Sequence, residues 1–247
     1  VVDHAAVEGN DVTGLKLFVG ARGADHGSDN NGAAYVVPGP ISGERWLADE
    51  TRLWKGLDGD STGYAGATVA VTDLDADGQS DMVVGAYLSN GQRGAVYLVY
   101  GPITGGGELV DADVVWAGGY DSSNGNGAKL GYAVVGLGDV TGDGQADFAM
   151  SEPIGKSGTF SSAGNVYVLA GGESLPSNLA YAPTVISGAG SNGQAGDSLA
   201  DAGDLDGDGT SDLVLYGELA ARLFFGPLPS GATTDDADAT FGSGLDT

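Results

Sequence analysis

The sequence predicts an all-β protein built from many short strands, and three observations lead to this fold class. The 247 residues include 46 glycines without a Gly-X-Y period, which excludes a collagen-like chain and indicates many turns. The apolar runs are short, rich in Val, Leu, Tyr and Phe, and bounded by Gly, Pro, Asn and Asp. No long segment keeps a helical period. With 41% hydrophobic residues, the chain is apolar enough to fold around a core.

A repeat of about 65 residues organises these runs. The acidic stretches DLDADGQSD, DVTGDGQAD and DLDGDGTSD begin at Asp73, Asp139 and Asp204, which are 66 and 65 residues apart. Stepping back 65 residues from Asp73 reaches Glu8, where EGNDVTGLK precedes LFVGA much as DLDADGQSD precedes MVVGA. We therefore predict four repeats in one region spanning residues 1–247. Their approximate bounds are 1–60, 61–126, 127–191 and 192–247.

Each repeat presents its elements in the same order. A Gly-rich lead precedes the acidic stretch, and three apolar runs follow it, of which the last reads RLWKG, VVWAG, TVISG or ATFGS. This order of runs predicts four strands in each repeat. A recurring unit of four strands favours the antiparallel blade of a β-propeller over a sandwich. Neighbouring blades would bury the faces that no single blade can bury alone.

The two ends of the sequence bear on how such a propeller closes. The chain opens within the first-strand segment of repeat one and ends in FGSGLDT, which resembles the lead into a further repeat. We therefore expect part of a larger propeller, or a chain that closes with a second copy. A self-closed ring of four blades is the alternative. The first residue is Val1 instead of Met, which we interpret as a sign of a processed or excised chain.

Charge and composition exclude several classes of function. The formal net charge of −25 repels phosphate backbones and anionic lipid, so we expect no nucleic-acid partner. The absence of cysteine excludes disulfides and thiolate metal sites. No apolar run approaches the length of a membrane span, so we expect no membrane insertion.

The acidic stretches read as cation-binding loops with the pattern D-x-[DT]-x-D-G-x-x-D. Side-chain oxygens at positions 1, 3, 5 and 9 can converge on one ion, the glycine at position 6 permits a sharp bend, and position 7 supplies its backbone carbonyl. So many hard oxygen ligands favour Ca²⁺, whereas the strict octahedron of Mg²⁺ disfavours that ion. The predicted ligands are Asp73, Asp75, Asp77, Gln79 and Asp81; Asp139, Thr141, Asp143, Gln145 and Asp147; and Asp204, Asp206, Asp208, Thr210 and Asp212.

The first half of each loop is similar to an EF-hand loop, which provides the main alternative. An EF-hand needs a bidentate Glu at position 12 and flanking helices. Position 12 is Val84, Met150 or Leu215, each within a strand-like apolar run. The EF-hand interpretation therefore fails at the same position in all three loops, and the nonapeptide calcium repeat fails because the period is far too long.

The loops and their flanks resemble FG-GAP repeats, the units of the integrin α-subunit propeller and of many bacterial exported proteins. GYAG and VVGAY around the loop carry the resemblance in the second repeat, LGYA and SEP in the third, and AGDSLADAG and LVLYG in the fourth. The resemblance implies a β-propeller with Ca²⁺ in loops between the first two strands of a blade.

Two repeats depart from this pattern. In the first repeat Val12 stands at position 5 and Lys16 at position 9, so a positive charge replaces a ligand and we predict no metal there. In the third repeat Thr141 offers only a neutral oxygen, and we expect this loop to bind its ion more weakly than the other two. The sequence thus predicts about three calcium sites.

The sequence offers much weaker signals for a catalytic site than for calcium loops. The only histidines are His4 and His26, and neither a G-x-S-x-G nucleophile elbow nor a His-Glu-x-x-His motif occurs. Trp54 and Trp116 occupy equivalent last-strand positions, where we expect packing between blades. The acidic group at Asp235, Asp236 and Asp238 reads as a solvated turn.

We therefore expect calcium to have a structural role in a non-enzymatic, extracellular binding module. Extracellular Ca²⁺ modules bind at about 10⁻⁴ to 10⁻³ M, a range that favours a secreted or cell-surface location. The expected partner is an extracellular protein or glycan, in cell adhesion or surface assembly, and the long inserts between strands would carry the site. Two alternatives stay open: a module of a larger secreted hydrolase or lyase, and a structural unit that assembles with copies of itself or with further blades.

Overall fold

The structure is a computed structural model that describes residues 4–11, 14–26, 30–44, 46–49, 52–57, 63–121, 126–172 and 175–242. Four sheets follow one another along the chain, and each contains an antiparallel meander of four strands. We call these meanders blades 1 to 4. The prediction of an all-β chain made of four-stranded antiparallel units is confirmed, and closure into a propeller stays a prediction.

The strands of the four blades are as follows. Blade 1 contains β1 (His4–Asp11), β2 (Gly14–Ala21), β3 (Ala33–Pro38) and β4 (Leu53–Lys55). Blade 2 contains β5 (Thr68–Thr72), β6 (Asp81–Ala86), β7 (Ala95–Val99) and β9 (Val114–Ala117). Blade 3 contains β12 (Val134–Leu137), β13 (Asp147–Glu152), β14 (Asn165–Leu169) and β15 (Thr184–Ser187). Blade 4 contains β16 (Ser198–Gly203), β17 (Asp212–Gly217), β18 (Ala220–Phe224) and β20 (Ala239–Gly242).

The remaining elements are short. Strands β8 (Gly107–Glu108) and β19 (Ala232–Thr233) pair in parallel with β4 and β15, and β10 (Tyr120–Asp121) pairs with β11 (Asn126–Gly127). One short helical segment, α1, spans Ser89–Gln92. A single 3₁₀ turn precedes the last strand of each blade, at Leu47–Asp49, Leu109–Asp111, Leu179–Tyr181 and Thr234–Asp236.

The blades pack against one another in chain order. The first strands lie side by side from β1 to β5, β12 and β16. The second strands of blades 2 and 3 are buried along their whole length, because both of their faces are covered. One apolar cluster lies between each pair of successive blades, and a fourth lies within blade 1, so the core is divided among three interfaces and blade 1 itself.

The last-strand tryptophans occupy two of these interfaces. Trp116 is fully buried between blades 2 and 3, with its ring centroid 5.6 Å from that of Phe148. Its indole Nε1–H donates to the Pro176 carbonyl at 2.6 Å. Trp54 packs against the cluster between blades 1 and 2. The expectation that both tryptophans pack between blades is confirmed.

Blade 1 differs from the other blades at its first turn. Its strands β1 and β2 pair as far as Asp11 opposite Gly14, so only residues 12 and 13 separate them. The corresponding strands are separated by residues 73–80, 138–146 and 204–211 in blades 2, 3 and 4. Residues Glu8 to Asp11, aligned with the start of an acidic loop, therefore belong to a strand, and Val12 lies outside the described residues.

Candidate metal centres

Each complete acidic loop joins the first and second strands of its blade. The position-6 glycines, Gly78, Gly144 and Gly209, have φ values of 84°, 88° and 99°, so the predicted bend is present. Position 4 also lies in the left-handed region, which the sequence did not reveal. Glycine occupies it in two loops, but in blade 2 it is Ala76 with a φ of 58°.

The aspartate at position 1 organises the loop from within. Asp73 accepts hydrogen bonds from the backbone N–H groups of Asp77 at 3.1 Å and Gly78 at 2.9 Å. Asp139 accepts from three backbone N–H groups of its loop, and Asp204 accepts from two. These bonds satisfy loop amides that no strand ladder could satisfy.

The aspartate at position 9 connects the loop to the third strand of its blade. Its side chain is fully buried, with one oxygen accepting from the position-2 N–H and the other from the glycine that follows the third strand. For Asp81 the donors are Leu74 at 2.7 Å and Gly101 at 2.8 Å. The equivalent donors are Val140 and Gly171 for Asp147, and Leu205 and Gly226 for Asp212. The sequence predicted a ligand here but not this structural role.

Burial makes the charged form of this aspartate costly where no cation is near. Desolvation raises the pKa of Asp81 to about 6, against the lowering effect of its two backbone hydrogen bonds and with a further increase from Asp75 and Asp73. Desolvation likewise raises the pKa of Asp147. A divalent cation beside these carboxylates would favour their ionised form.

The structure brings some predicted ligands together and leaves others apart. Carboxylate oxygens of Asp73, Asp75 and Asp81 lie within 4.8 Å of one another, and the same holds for a second triad in blade 4. That second triad consists of Asp204, Asp206 and Asp208. Within the described residues, the loop of blade 3 forms no such triad, and Asp77 and Asp212 lie outside the two that form.

The ligands outside the triads make local contacts. Asp77 accepts from the Gln79 backbone N–H at 2.8 Å and from its side-chain amide at 3.0 Å. In blade 3, Asp143 accepts from the Gln145 N–H at 2.9 Å. The Thr141 hydroxyl oxygen is buried and lacks good hydrogen-bond geometry to any described group. It lies beside Asp147 and partly offsets the increase that desolvation causes in the pKa of Asp147.

The donor set fits Ca²⁺ on chemical grounds. Each loop offers carboxylate, hydroxyl or amide oxygens and no nitrogen or sulfur ligand, and two loops gather three carboxylates each. When bound, Ca²⁺ would supply positive charge among carboxylates that otherwise repel one another. Asp73, Asp75 and Asp81 would hold it in blade 2, and Asp204, Asp206 and Asp208 in blade 4.

Lys16 takes the place of the position-9 aspartate in blade 1. It is buried, and its Nζ donates to the Ile103 carbonyl of blade 2 at 3.3 Å. Desolvation and then the charge of Arg52 lower its pKa. A lysine therefore occupies the strand position that carries an aspartate in the other blades, and the absence of a metal from the first repeat stays a prediction.

The other residues singled out in the sequence have structural contacts. His26 Nε2 lies 2.9 Å from the Tyr35 hydroxyl, and desolvation lowers its pKa. Asp236 closes a capping box by accepting from the backbone N–H and the hydroxyl of Thr233, both at 2.8 Å. Asp238 accepts from the Phe225 N–H.

The part of the chain that the structure describes contains no helix with the length and apolar character needed to cross a bilayer.

Comparisons with known proteins identify two of the repeats. The sequence model of the FG-GAP repeat matches residues 65–99 and 130–169, which include the acidic loops of blades 2 and 3. Integrin alpha pat-2 of Caenorhabditis elegans is 34% identical over 88 residues, which cover 35% of this chain and 7% of that protein. The resemblance that the sequence motifs indicated is thereby confirmed.

Proposed function

We propose that this chain, which carries FG-GAP repeats, is a non-enzymatic, extracellular or cell-surface propeller module that Ca²⁺ stabilises and that binds a protein or glycan. Its expected role is adhesion or surface assembly. Calcium has a structural part in this proposal, because the acidic loops lie at the turns between strands and their aspartates already support the blade backbone.

The observation that carries the proposal is that the same turn gathers a carboxylate triad in blades 2 and 4, from loop positions 1, 3 and 9 in blade 2 and from positions 1, 3 and 5 in blade 4. In blade 2 the triad includes Asp81, which is buried and bonded to the third strand. A cation held there would therefore couple three parts of one blade: the loop, the second strand and the third strand. Bound to the native loop alone, it stabilises the fold by about 2.7 kcal/mol per site at 100-fold excess over Kd.

The proposed extracellular location and adhesive role of this chain rest on its similarity to an integrin alpha subunit. The relative is named an integrin alpha, and this chain aligns with a small part of it. The activity and the partners of the protein to which this chain belongs are therefore proposals. The extracellular assignment also follows from the modest affinity of such modules for Ca²⁺, since cytosolic concentrations would leave them without ion.

Thermal unfolding with and without Ca²⁺ tests this function. We expect the melting temperature to rise as free Ca²⁺ increases from chelated to millimolar levels, and to rise much less with Mg²⁺. The Asp206→Asn variant should lose part of the increase, whereas Asp235→Asn, at an acidic position outside the loops, should keep all of it. An unchanged melting temperature across the calcium series would contradict the proposal.

Self-association is a second candidate function, and the outer face of blade 4 favours it. Phe241 takes the strand position in blade 4 that Ile186 takes in blade 3, since each pairs with the second residue of the third strand. Blade 4 covers Ile186, which is 0% exposed, whereas Phe241 is 64% exposed. Likewise Leu205 is 61% exposed, although its counterparts Leu74 and Val140 are 2% and 0% exposed.

The occupant that fits this apolar face is a blade of a second copy, because each successive blade already buries the equivalent face of its predecessor. Light scattering after size exclusion, with and without Ca²⁺, measures this association. We expect a concentration-dependent dimer or larger assembly that Phe241→Asp disrupts and that Leu219→Asp, at an exposed residue of the β17–β18 turn, leaves intact. A monomer at all concentrations would exclude it.

A further inference from the structure

A cavity of about 640 Å³ lies between blades 2 and 3, away from the acidic loops. We call it the interblade pocket. One wall is the last strand of blade 2, from Val115 to Ala117, and the segment 177–180 before β15 forms another. Glu152, Tyr167 and Val185, from three successive strands of blade 3, line the remaining side. The pocket therefore lies at a blade interface and is lined by strands of both blades and by the segment 177–180.

Glu152 is the acidic group of this pocket. It is only 6% exposed, and one carboxylate oxygen accepts from the Tyr167 hydroxyl at 2.7 Å and the Asn165 side-chain amide at 2.8 Å. The Gly119 backbone N–H is a third donor to the carboxylate. An ionised carboxylate has about four acceptor sites, so three neutral donors leave room for one more.

The ion pairs of the described residues bear on the charge of this carboxylate. Within the described residues, no lysine or arginine forms an ion pair with Glu152. Burial raises the pKa of Glu152, while the hydrogen bonds from Tyr167, Asn165 and Gly119 lower it. A buried carboxylate with satisfied hydrogen bonds but no counter-ion gains from a cation that enters beside it.

The next interface of the same protein holds a guanidinium group at the corresponding strand position. Arg222 pairs with Leu215 in blade 4 as Tyr167 pairs with Met150 in blade 3, and Leu215 and Met150 share position 12 of their repeats. The Arg222 guanidinium is buried there, donating to the Gly217 carbonyl and to Glu218, both at 2.6 Å. Blade 4 thus carries a guanidinium group paired with a glutamate. At the corresponding strand position, blade 3 has the Tyr167 ring with the interblade pocket beside it.

We propose that the interblade pocket binds a guanidinium group, with the Glu152 carboxylate as its counter-ion and the Tyr167 ring beside it. The planar guanidinium can donate to the carboxylate and stack on an aromatic face at the same time, which a compact ammonium cannot do as well. The strongly acidic chain, with a formal net charge of −25, also attracts cations towards the pocket. The ligand is either a free guanidinium compound or an arginine side chain of another polypeptide.

Calorimetric titration and amide chemical shifts of the calcium-saturated protein test this proposal. The probes are methylguanidine, the peptide acetyl-Gly-Arg-Gly-amide, and the same peptide with neutral citrulline in place of arginine. We expect saturable binding of an arginine or guanidine probe, with shifts at the residues around Glu152, and no binding of the citrulline peptide. Repeating the titration without Ca²⁺ separates this pocket from the loops, because the proposal does not depend on an ion in them.

Three variants complete the test. Glu152→Gln keeps the shape and the acceptor oxygen but removes the charge, and should weaken binding at least tenfold. Ala180→Phe narrows the pocket at an exposed lining residue, keeps Glu152, and should weaken binding even if Glu152→Gln folds poorly. Glu108→Gln removes the same charge at an exposed position and should bind as the parent does.

Each outcome decides the proposal. Binding of methylguanidine, with or without binding of the arginine peptide, supports a free guanidinium ligand, and binding of the arginine peptide alone supports a polypeptide ligand. The proposal is overturned if neither charged probe binds, if the citrulline peptide binds equally well, or if both pocket variants bind as the parent does.

Discussion

At the residue scale, the loop aspartates divide into two groups by what else they do. Asp212 is fully buried and its two oxygens accept from Leu205 at 2.8 Å and Gly226 at 3.0 Å. Asp208 is exposed, and among the described residues its side chain accepts hydrogen bonds from Thr210, two residues away. Both are predicted ligands, yet only the first also supports the blade when no ion is bound.

This division predicts different effects for two substitutions in the same loop. Asp212→Ala leaves two backbone N–H groups without acceptors, so we expect the ion-free protein to lose about 2–4 kcal/mol of unfolding free energy. Asp208→Asn should leave that free energy nearly unchanged while it weakens Ca²⁺ binding. Urea unfolding under chelation, together with calcium titration, measures both effects; equal losses for the two variants would contradict the assignment.

The raised pKa of Asp81 predicts how pH acts on blade 2. A carboxyl whose pKa is about 6 in the folded protein, against 3.8 ordinarily, stabilises the fold in its protonated form, so this contribution is present below about pH 4 and is lost above pH 6. Calcium requires the ionised form, so the proton competes with the ion. We expect the apparent affinity of this loop to fall about tenfold from pH 7 to pH 5. Titration in the Asp206→Asn background isolates blade 2 from blade 4, and an affinity that does not depend on pH would exclude the effect.

At the element scale, each loop needs two residues in left-handed backbone conformation. Gly207 and Gly209 meet this need in blade 4, whereas blade 2 places Ala76 at the first of the two positions. A side chain in this region costs about 1–2 kcal/mol.

Exchanging glycine and alanine at these left-handed positions should therefore affect the unfolding free energy differently in blades 2 and 4. We expect Gly209→Ala to lower the unfolding free energy by about 1 kcal/mol and Ala76→Gly to raise it or leave it unchanged, since relief of strain offsets the extra freedom of the unfolded chain. Denaturant unfolding at constant free Ca²⁺ measures both. Stabilisation by Gly209→Ala would show that the φ of 99° is not required.

The acidic loops show how far sequence reasoning reaches at this scale. The pattern indicated the loop, its bend at position 6 and the four strands around it, because these depend on residues close together in the chain. It did not indicate that Asp81 bonds to Gly101, because that contact joins residues 20 apart through the pairing of two strands. Nor did it indicate that Glu152 accepts from Gly119, because that contact joins residues 33 apart through the packing of blade 3 against blade 2. The left-handed Ala76 was also missed, since alanine carries no signal for that conformation.

At the scale of the whole molecule, stability depends on the interfaces between blades. Trp116 fills the interface of blades 2 and 3 and bonds across it to the Pro176 carbonyl at 2.6 Å. Blades 1 and 2 are connected by parallel pairing of β4 with β8, and blades 3 and 4 by pairing of β15 with β19. A blade without its neighbours would expose these faces.

Two tryptophan substitutions test the importance of an interface. Trp116→Phe removes the indole N–H and part of the ring from a closed site, so we expect a loss of about 1–3 kcal/mol in unfolding free energy. Trp46→Phe, at an exposed residue, should stay within about 0.5 kcal/mol of the parent. Chemical unfolding followed by circular dichroism gives both values, and equal stability of the two variants would contradict the packing role of Trp116.

The acidic loops are proposed here as calcium sites that stabilise the blades. Anomalous diffraction from crystals grown with Ca²⁺ tests this proposal most directly, because it locates the ions. We expect one peak among Asp73, Asp75 and Asp81 and one among Asp204, Asp206 and Asp208. We also expect a weaker peak at the loop of blade 3 and none near Lys16. Crystals at millimolar Ca²⁺ with no peak in any of the three loops would contradict the proposal.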